Sequence, residues 1–96
     1  MQRKNTQSLA EVLREYIDSM HMSRRLKESR IERHWEELLG KNAASLTRRV
    51  YIKNGVLYAY LNSSVLRNEI LMMRETLIAR INELAGEEIV TKIVLR

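Results

Sequence analysis

The chain of 96 residues has no cysteine, no proline and only three glycines. Without cysteine there is no disulfide framework, no thiolate metal site and no cysteine nucleophile, and a reducing compartment is the natural setting. Gly40, Gly55 and Gly86 lie too far apart to form a phosphate-cradling loop or a dinucleotide fingerprint. His21 and His34 lack partners at metal-ligand spacing, so each reads as a surface or boundary residue rather than a zinc ligand. Ser45, Ser63 and Ser64 have no nucleophile-elbow context. Carboxylates fall on polar helical faces and not in paired inward positions. These absences predict a protein that is not an enzyme and needs no cofactor. No apolar run approaches membrane-spanning length and the N-terminus carries no apolar signal region. The expectation is a soluble, cytoplasmic protein with no membrane partner.

What is present is charge, and it is uneven. Lysine and arginine total 17 against 12 acidic residues, a net charge of +5. Residues 1–53 hold 12 basic and 7 acidic side chains, whereas residues 54–96 hold 5 of each. A basic half suits an acidic partner, nucleic acid or an acidic protein patch. An ordinary solvated surface of mixed charge is the other reading. The 45% hydrophobic content allows one modest core and leaves little room for an enclosed cavity.

The strongest local signal lies in the middle. Asn54-Gly55 separates two alternating runs, 47–53 and 56–61, and predicts a two-residue type I′ hairpin. That turn sets Lys53 opposite Val56, Ile52 opposite Leu57, Tyr51 opposite Tyr58, Val50 opposite Ala59 and Arg49 opposite Tyr60. Alternation places Val50, Ile52, Leu57, Ala59 and Leu61 on one face. The other face carries Arg49, Tyr51, Lys53, Tyr58 and Tyr60. Cations beside aromatic rings can hold nucleic acid through phosphate charge and base stacking. Cross-strand pairs of these types also stabilise a hairpin with no ligand, and a helix packed over the rings would bury them.

Before the hairpin, residues 1–7 read as a flexible basic arm with Arg3 and Lys4. Ser8 and Glu11 form a capping-box pattern. Leu9, Val12, Leu13, Tyr16, Ile17 and Met20 then follow at helical spacing, predicting a helix over 8–20. Residues 21–25 read as a connector. A second helix is predicted to residue 39, with Leu26, Ile31, Trp35, Leu38 and Leu39 inward and Gly40 as its cap. Trp35 on that stripe reads as a core anchor. Arg24, Arg25, Lys27, Arg30 and Arg33 crowd the first half of this helix, the order the helix dipole disfavours. Either they serve a partner or they pair with Glu28 and Glu32 on a solvated face.

After the hairpin, Asn62-Ser63-Ser64 can cap a third helical region ending at Gly86, with a bend or break expected near Met73–Glu75. Val65, Leu66, Ile70, Met73, Leu77, Ile81 and Leu84 form its core stripe, widened by Leu71, Met72 and Ile78. Met72 and Met73 read as core filler or as part of a partner surface. Residues 88–95 read as a strand. The order α-α-β-β-α-β predicts an α+β fold, a two-layer sandwich with a three-stranded sheet and helices on one face. Whether the last strand joins the first or the second hairpin strand stays open.

Four stretches in this order also carry a family resemblance. They are Ile31-Glu32-Arg33-His34-Trp35-Glu36-Glu37-Leu38-Leu39-Gly40, the hairpin 47–61, Asn62-Ser63-Ser64-Val65-Leu66-Arg67-Asn68-Glu69-Ile70, and Leu77 through Gly86. Together they resemble the DciA-like domain over about residues 8–96. The resemblance implies a single KH-like α+β domain without enzymatic activity. It implies a role in loading or operating the bacterial replicative helicase, with DNA as a ligand. The Gly-x-x-Gly backbone clamp of true KH domains is missing at the corresponding Met73-Arg74-Glu75. Many relatives carry a further tail, and helicase contacts made by such a tail are not carried over.

The resemblance assigns no DNA-contacting positions, so these come from charge and geometry. They are Arg49, Tyr51, Lys53, Tyr58 and Tyr60, assisted by Arg3, Lys4, Arg24, Arg25, Lys27, Arg30 and Arg33. The expected function is a nucleic-acid-binding adaptor, on single-stranded or duplex DNA and near the nucleoid, with the replicative helicase as partner. The alternative is a protein-interaction module without nucleic-acid binding. Weak self-association through an open sheet edge is compatible with either.

Overall fold

The computed structural model describes residues 8–96. Helix α1 spans Leu9–Arg33. Its capping box closes as the sequence suggests. The Glu11 backbone N–H donates to Ser8 Oγ at 3.1 Å and the Ser8 N–H donates to Glu11 Oε1 at 3.0 Å. These bonds hold the Glu11 carboxyl below its ordinary pKa. The expected connector at 21–25 is helical instead. His-Met-Ser-Arg-Arg contains neither glycine nor proline, and each of its residues costs only tenths of a kcal/mol against alanine in a helix. A lapse in the apolar stripe does not by itself end a helix. The break falls at His34, whose N–H is shared between the Arg30 and Ile31 carbonyls. Two short helices follow, α2 (Trp35–Leu39) and α3 (Lys41–Ser45), hinged at Gly40 with φ +93°.

Strands β1 (Thr47–Lys53) and β2 (Val56–Leu61) are joined by Asn54 and Gly55, both at positive φ (52° and 80°), as a type I′ turn requires. The register is the one that turn dictates, from Lys53↔Val56 to Arg49↔Tyr60. It shifts only at the far end, where Thr47 pairs with Leu61 and Arg48 becomes the extra residue of a bulge. Helix α4 (Ser64–Met72) starts with Ser63 Oγ accepting from the Leu66 N–H at 3.1 Å. Met73 interrupts the helical region where a break is expected, and α5 covers Arg74–Ala85.

The final strand, β3 (Lys92–Leu95), is shorter than the expected 88–95. Asn82 of α5 removes residues 89 and 90 from the ladder. Its Oδ1 accepts from the N–H groups of Ile89 (2.9 Å) and Val90 (3.0 Å), and its Nδ2 donates to the Val90 carbonyl at 2.9 Å. The Thr91 N–H then donates to the Gly55 carbonyl in the hairpin turn. β3 runs parallel to β2, so the mixed sheet has order β1-β2-β3 with β2 in the centre.

Ile52, Leu57, Ala59, Leu61 and Ile93 from the sheet meet Ile31, Trp35, Leu38, Ile70, Leu77 and Ile81 from the helices in one core, which Ile89 and Val90 complete. Trp35 is the anchor the sequence suggests: it is buried, and its Nε1–H donates to Thr47 Oγ1 at 3.0 Å. Other expectations fail: Leu26, Val65 and Leu84 are exposed, not inward. The stripe Leu9, Val12, Leu13, Tyr16, Ile17 and Met20 is exposed too. At about 1.5 Å per residue α1 is ~37 Å long, and only its second half reaches the core, through Ile31. The molecule measures 63 × 21 × 20 Å because half of α1 projects beyond the body.

Candidate nucleic-acid interface

The open face of the sheet is the strongest site candidate, and strand alternation builds it. Tyr51, Tyr58 and Tyr60 point away from the core, half-buried, between exposed Arg49 and Lys53. No helix covers the rings. Tyr51 stacks on Tyr58 with centroids 5.0 Å apart and an interplanar angle of 19°, and on Tyr60 at 6.4 Å and 20°. The Arg49 guanidinium lies 4.6 Å from the Tyr51 ring centre. Tyr51 is thus the middle of the ladder, while Tyr58 and Tyr60 form its ends.

The Tyr51 hydroxyl is pushed above the usual phenol range. Hydrogen bonding with Tyr60 is the main cause, followed by desolvation and Tyr60 charge, with Arg49 acting in the opposite sense. A raised folded-state pKa stabilises the fold below the ordinary tyrosine pKa of about 10, and that contribution is lost as pH rises through the raised value. Site-resolved NMR titration is expected to show Tyr51 ionising above the usual phenol range in the wild type and at lower pH in Tyr60→Phe. A Tyr51 titration unchanged by Y60F contradicts that contact.

The third strand enlarges this face in a way the sequence left open. Parallel pairing puts Lys92 beside Val56 and Val94 beside Tyr58. The ladder continues past β3, since the Arg96 N–H donates to the Ala59 carbonyl and the Leu61 N–H to that of Arg96. Alternation therefore adds Lys92 and Arg96 to the cations around the rings. The missed signal was the pairing partner of the last strand: once β3 lies against β2, its alternation gives both residues. None of the three strands contains an aspartate or glutamate.

Only part of the α1 cation cluster reaches this face. Arg24 donates to the Ile89 carbonyl at 3.3 Å and pairs with Glu28 at 3.6 Å. Lys27 pairs with Glu87, which holds the Glu87 carboxyl below its ordinary pKa. These two side chains tie α1 to the segment before β3. Arg24 and Arg25 both line a groove of about 890 Å³ with Tyr51, Lys53 and Asn54. At about 100° per residue, Arg30 and Arg33 turn roughly 140° and 80° away from Arg25. In the same groove Glu32 Oε2 accepts from the Ile52 N–H at 2.9 Å, which caps one outward group of edge strand β1. Arg3 and Lys4 lie outside the described residues.

No group of His, Asp and Glu able to hold a metal ion occurs among the described residues, and no helix there is long and apolar enough to cross a membrane. No curated protein matches the chain. The family model of the Dna[CI] antecedent, DciA, matches residues 8–95, nearly the whole chain and all of its core. The chain, with its three-stranded α+β domain, therefore belongs to the DciA family.

Proposed function

We propose that this protein is a non-enzymatic adaptor that holds nucleic acid on its open sheet face and assists loading or operation of the replicative helicase. One observation carries the nucleic-acid part: three stacked, half-exposed tyrosines line a sheet face whose strands supply Arg49, Lys53 and Lys92 and no carboxylate. Such a face offers phosphate neutralisation and ring surfaces for unstacked bases together. The helicase part follows from membership of a family described as the Dna[CI] antecedent. A protein partner has its own candidate surface on α4, where Val65, Leu71 and Met72 are exposed. Oligomers of mixed sequence suit the rings better than one fixed site, because stacking accepts any base.

The test is fluorescence anisotropy of labelled single-stranded and duplex DNA across a salt series. Binding is expected to weaken steeply with salt, each neutralised phosphate adding about −0.7 to the logarithmic slope for a single strand. Negligible binding near physiological salt, with helicase capture retained, would move the assignment to a protein-interaction module.

A further inference from the structure

The projecting half of α1 has a surface that neither the core nor the sheet face uses. Leu9, Val12, Leu13, Tyr16, Ile17 and Met20 are all exposed, from 45% for Val12 to 74% for Leu9. At about 100° per residue they fall within a single stripe, while Glu11, Arg14, Glu15 and Asp18 all lie on the opposite third of the helix. Ala10 and Ser19 border the stripe. A solvated helix has no reason to confine every charge to one side, and a contiguous apolar face of this kind marks an interaction site.

We propose that this face pairs with the same face of a second copy, as an antiparallel two-helix seam. The spacing 9, 13, 16, 20 is two heptad repeats of alternating four and three, the pattern of a coiled-coil seam. Antiparallel two-fold pairing centred between residues 14 and 15 is self-complementary. It sets Leu9 against Met20 of the other copy, Leu13 against Tyr16 and Val12 against Ile17. Every apolar residue of the stripe then has an apolar partner, and every charge stays in water. The two bodies stand at opposite ends of the seam, because α1 first meets its own body near Arg24, which bonds the Ile89 carbonyl. The six side chains present on the order of 600 Å² per copy, so the pair buries on the order of 1,200 Å², the lower limit for a specific interface. The dimer is therefore weak and reversible, with dissociation in the micromolar range or above.

Sedimentation equilibrium of the full chain, from about 10 to about 500 µM, brackets that range. The average mass is expected to rise with concentration from the chain mass of 11.4 kDa towards twice that value. Leu13→Glu lies in the exposed half of the helix, leaves the core untouched and is expected to hold the protein at the monomer mass with an unchanged melting curve. Register is read by cross-linking, which the absence of native cysteine makes clean. An oxidised mixture of Leu9→Cys and Met20→Cys should give disulfide-linked pairs containing one of each, while each variant alone stays uncross-linked. A monomer throughout the range, a dimer that survives L13E, or efficient self-cross-linking of either single variant overturns the proposal.

Discussion

Removing Arg49 and Lys53 together is expected to weaken binding to single-stranded DNA about 25-fold at 0.1 M salt, by counterion release from two phosphates at a slope of about 0.7 each. The same relation fixes the shape of the effect. The loss should shrink as salt rises, and the logarithmic slope should flatten by about 1.4. It should also be uniform across sequences, because phosphate contacts carry no base information. Arg80→Ala is the control. Arg80 is exposed on α5, whose Leu77 and Ile81 pack on the other face of the sheet, and its removal should leave slope and affinity nearly unchanged. An R49A/K53A variant that binds like the wild type would remove the open face as the site. Tyr58→Ala and Tyr60→Ala probe the other half of the interaction, each expected to cost about 1–3 kcal/mol of stacking with little change in slope. A charge effect and a stacking effect are thus separable on one surface with one instrument.

Asn82→Ala is expected to be the most destabilising single polar substitution in the chain, by about 3 kcal/mol or more. The amide serves two backbone donors and one acceptor around buried Ile89 and Val90. Truncation leaves all three without their partner, and each unmet buried group costs about 1–3 kcal/mol. A domain of this size holds only about 5–15 kcal/mol in total, so urea denaturation should show a large fall in midpoint. Asn82→Asp separates the roles: its oxygens can still accept from the two N–H groups, but the donor to Val90 is gone. Intermediate stability for N82D fits this account. Wild-type stability for N82A would mean the segment is held by apolar burial alone.

What the sequence made legible follows interaction range. The hairpin register was readable to the residue because Asn54-Gly55 is a local instruction, and two adjacent runs obey it. Helix starts at Ser8 and Ser63 were readable for the same reason. The partner of β3 was not, since pairing across 30 residues leaves no mark at either site, and with it went Lys92 and Arg96. Asn82 carries no local signal that distinguishes it from any other polar helical residue. Only the arriving chain segment gives it a function. The connector expected at 21–25 and the inward assignment of Leu26 came from one assumption, that an apolar stripe predicts burial against the same molecule. In α1 the stripe outruns the body. Of the five cations from Arg24 to Arg33, Arg24 and Arg25 reach the groove beside the tyrosines. Arg24 and Lys27 anchor residues 87–89, and helical rotation turns Arg30 and Arg33 away.

The central position of β2 has a consequence for how the chain folds. The β1–β2 hairpin closes locally and can form within microseconds. β3 must instead cross back past α4 and α5, so its pairing waits for loop closure over a long stretch and raises the contact order. Folding is then expected to proceed from a nucleus containing the hairpin, with β3 docking late. Ile52→Val should slow folding, whereas Ile93→Val should mainly speed unfolding. The same ranking orders the open face in time: its tyrosines are in place before Lys92 arrives to complete it.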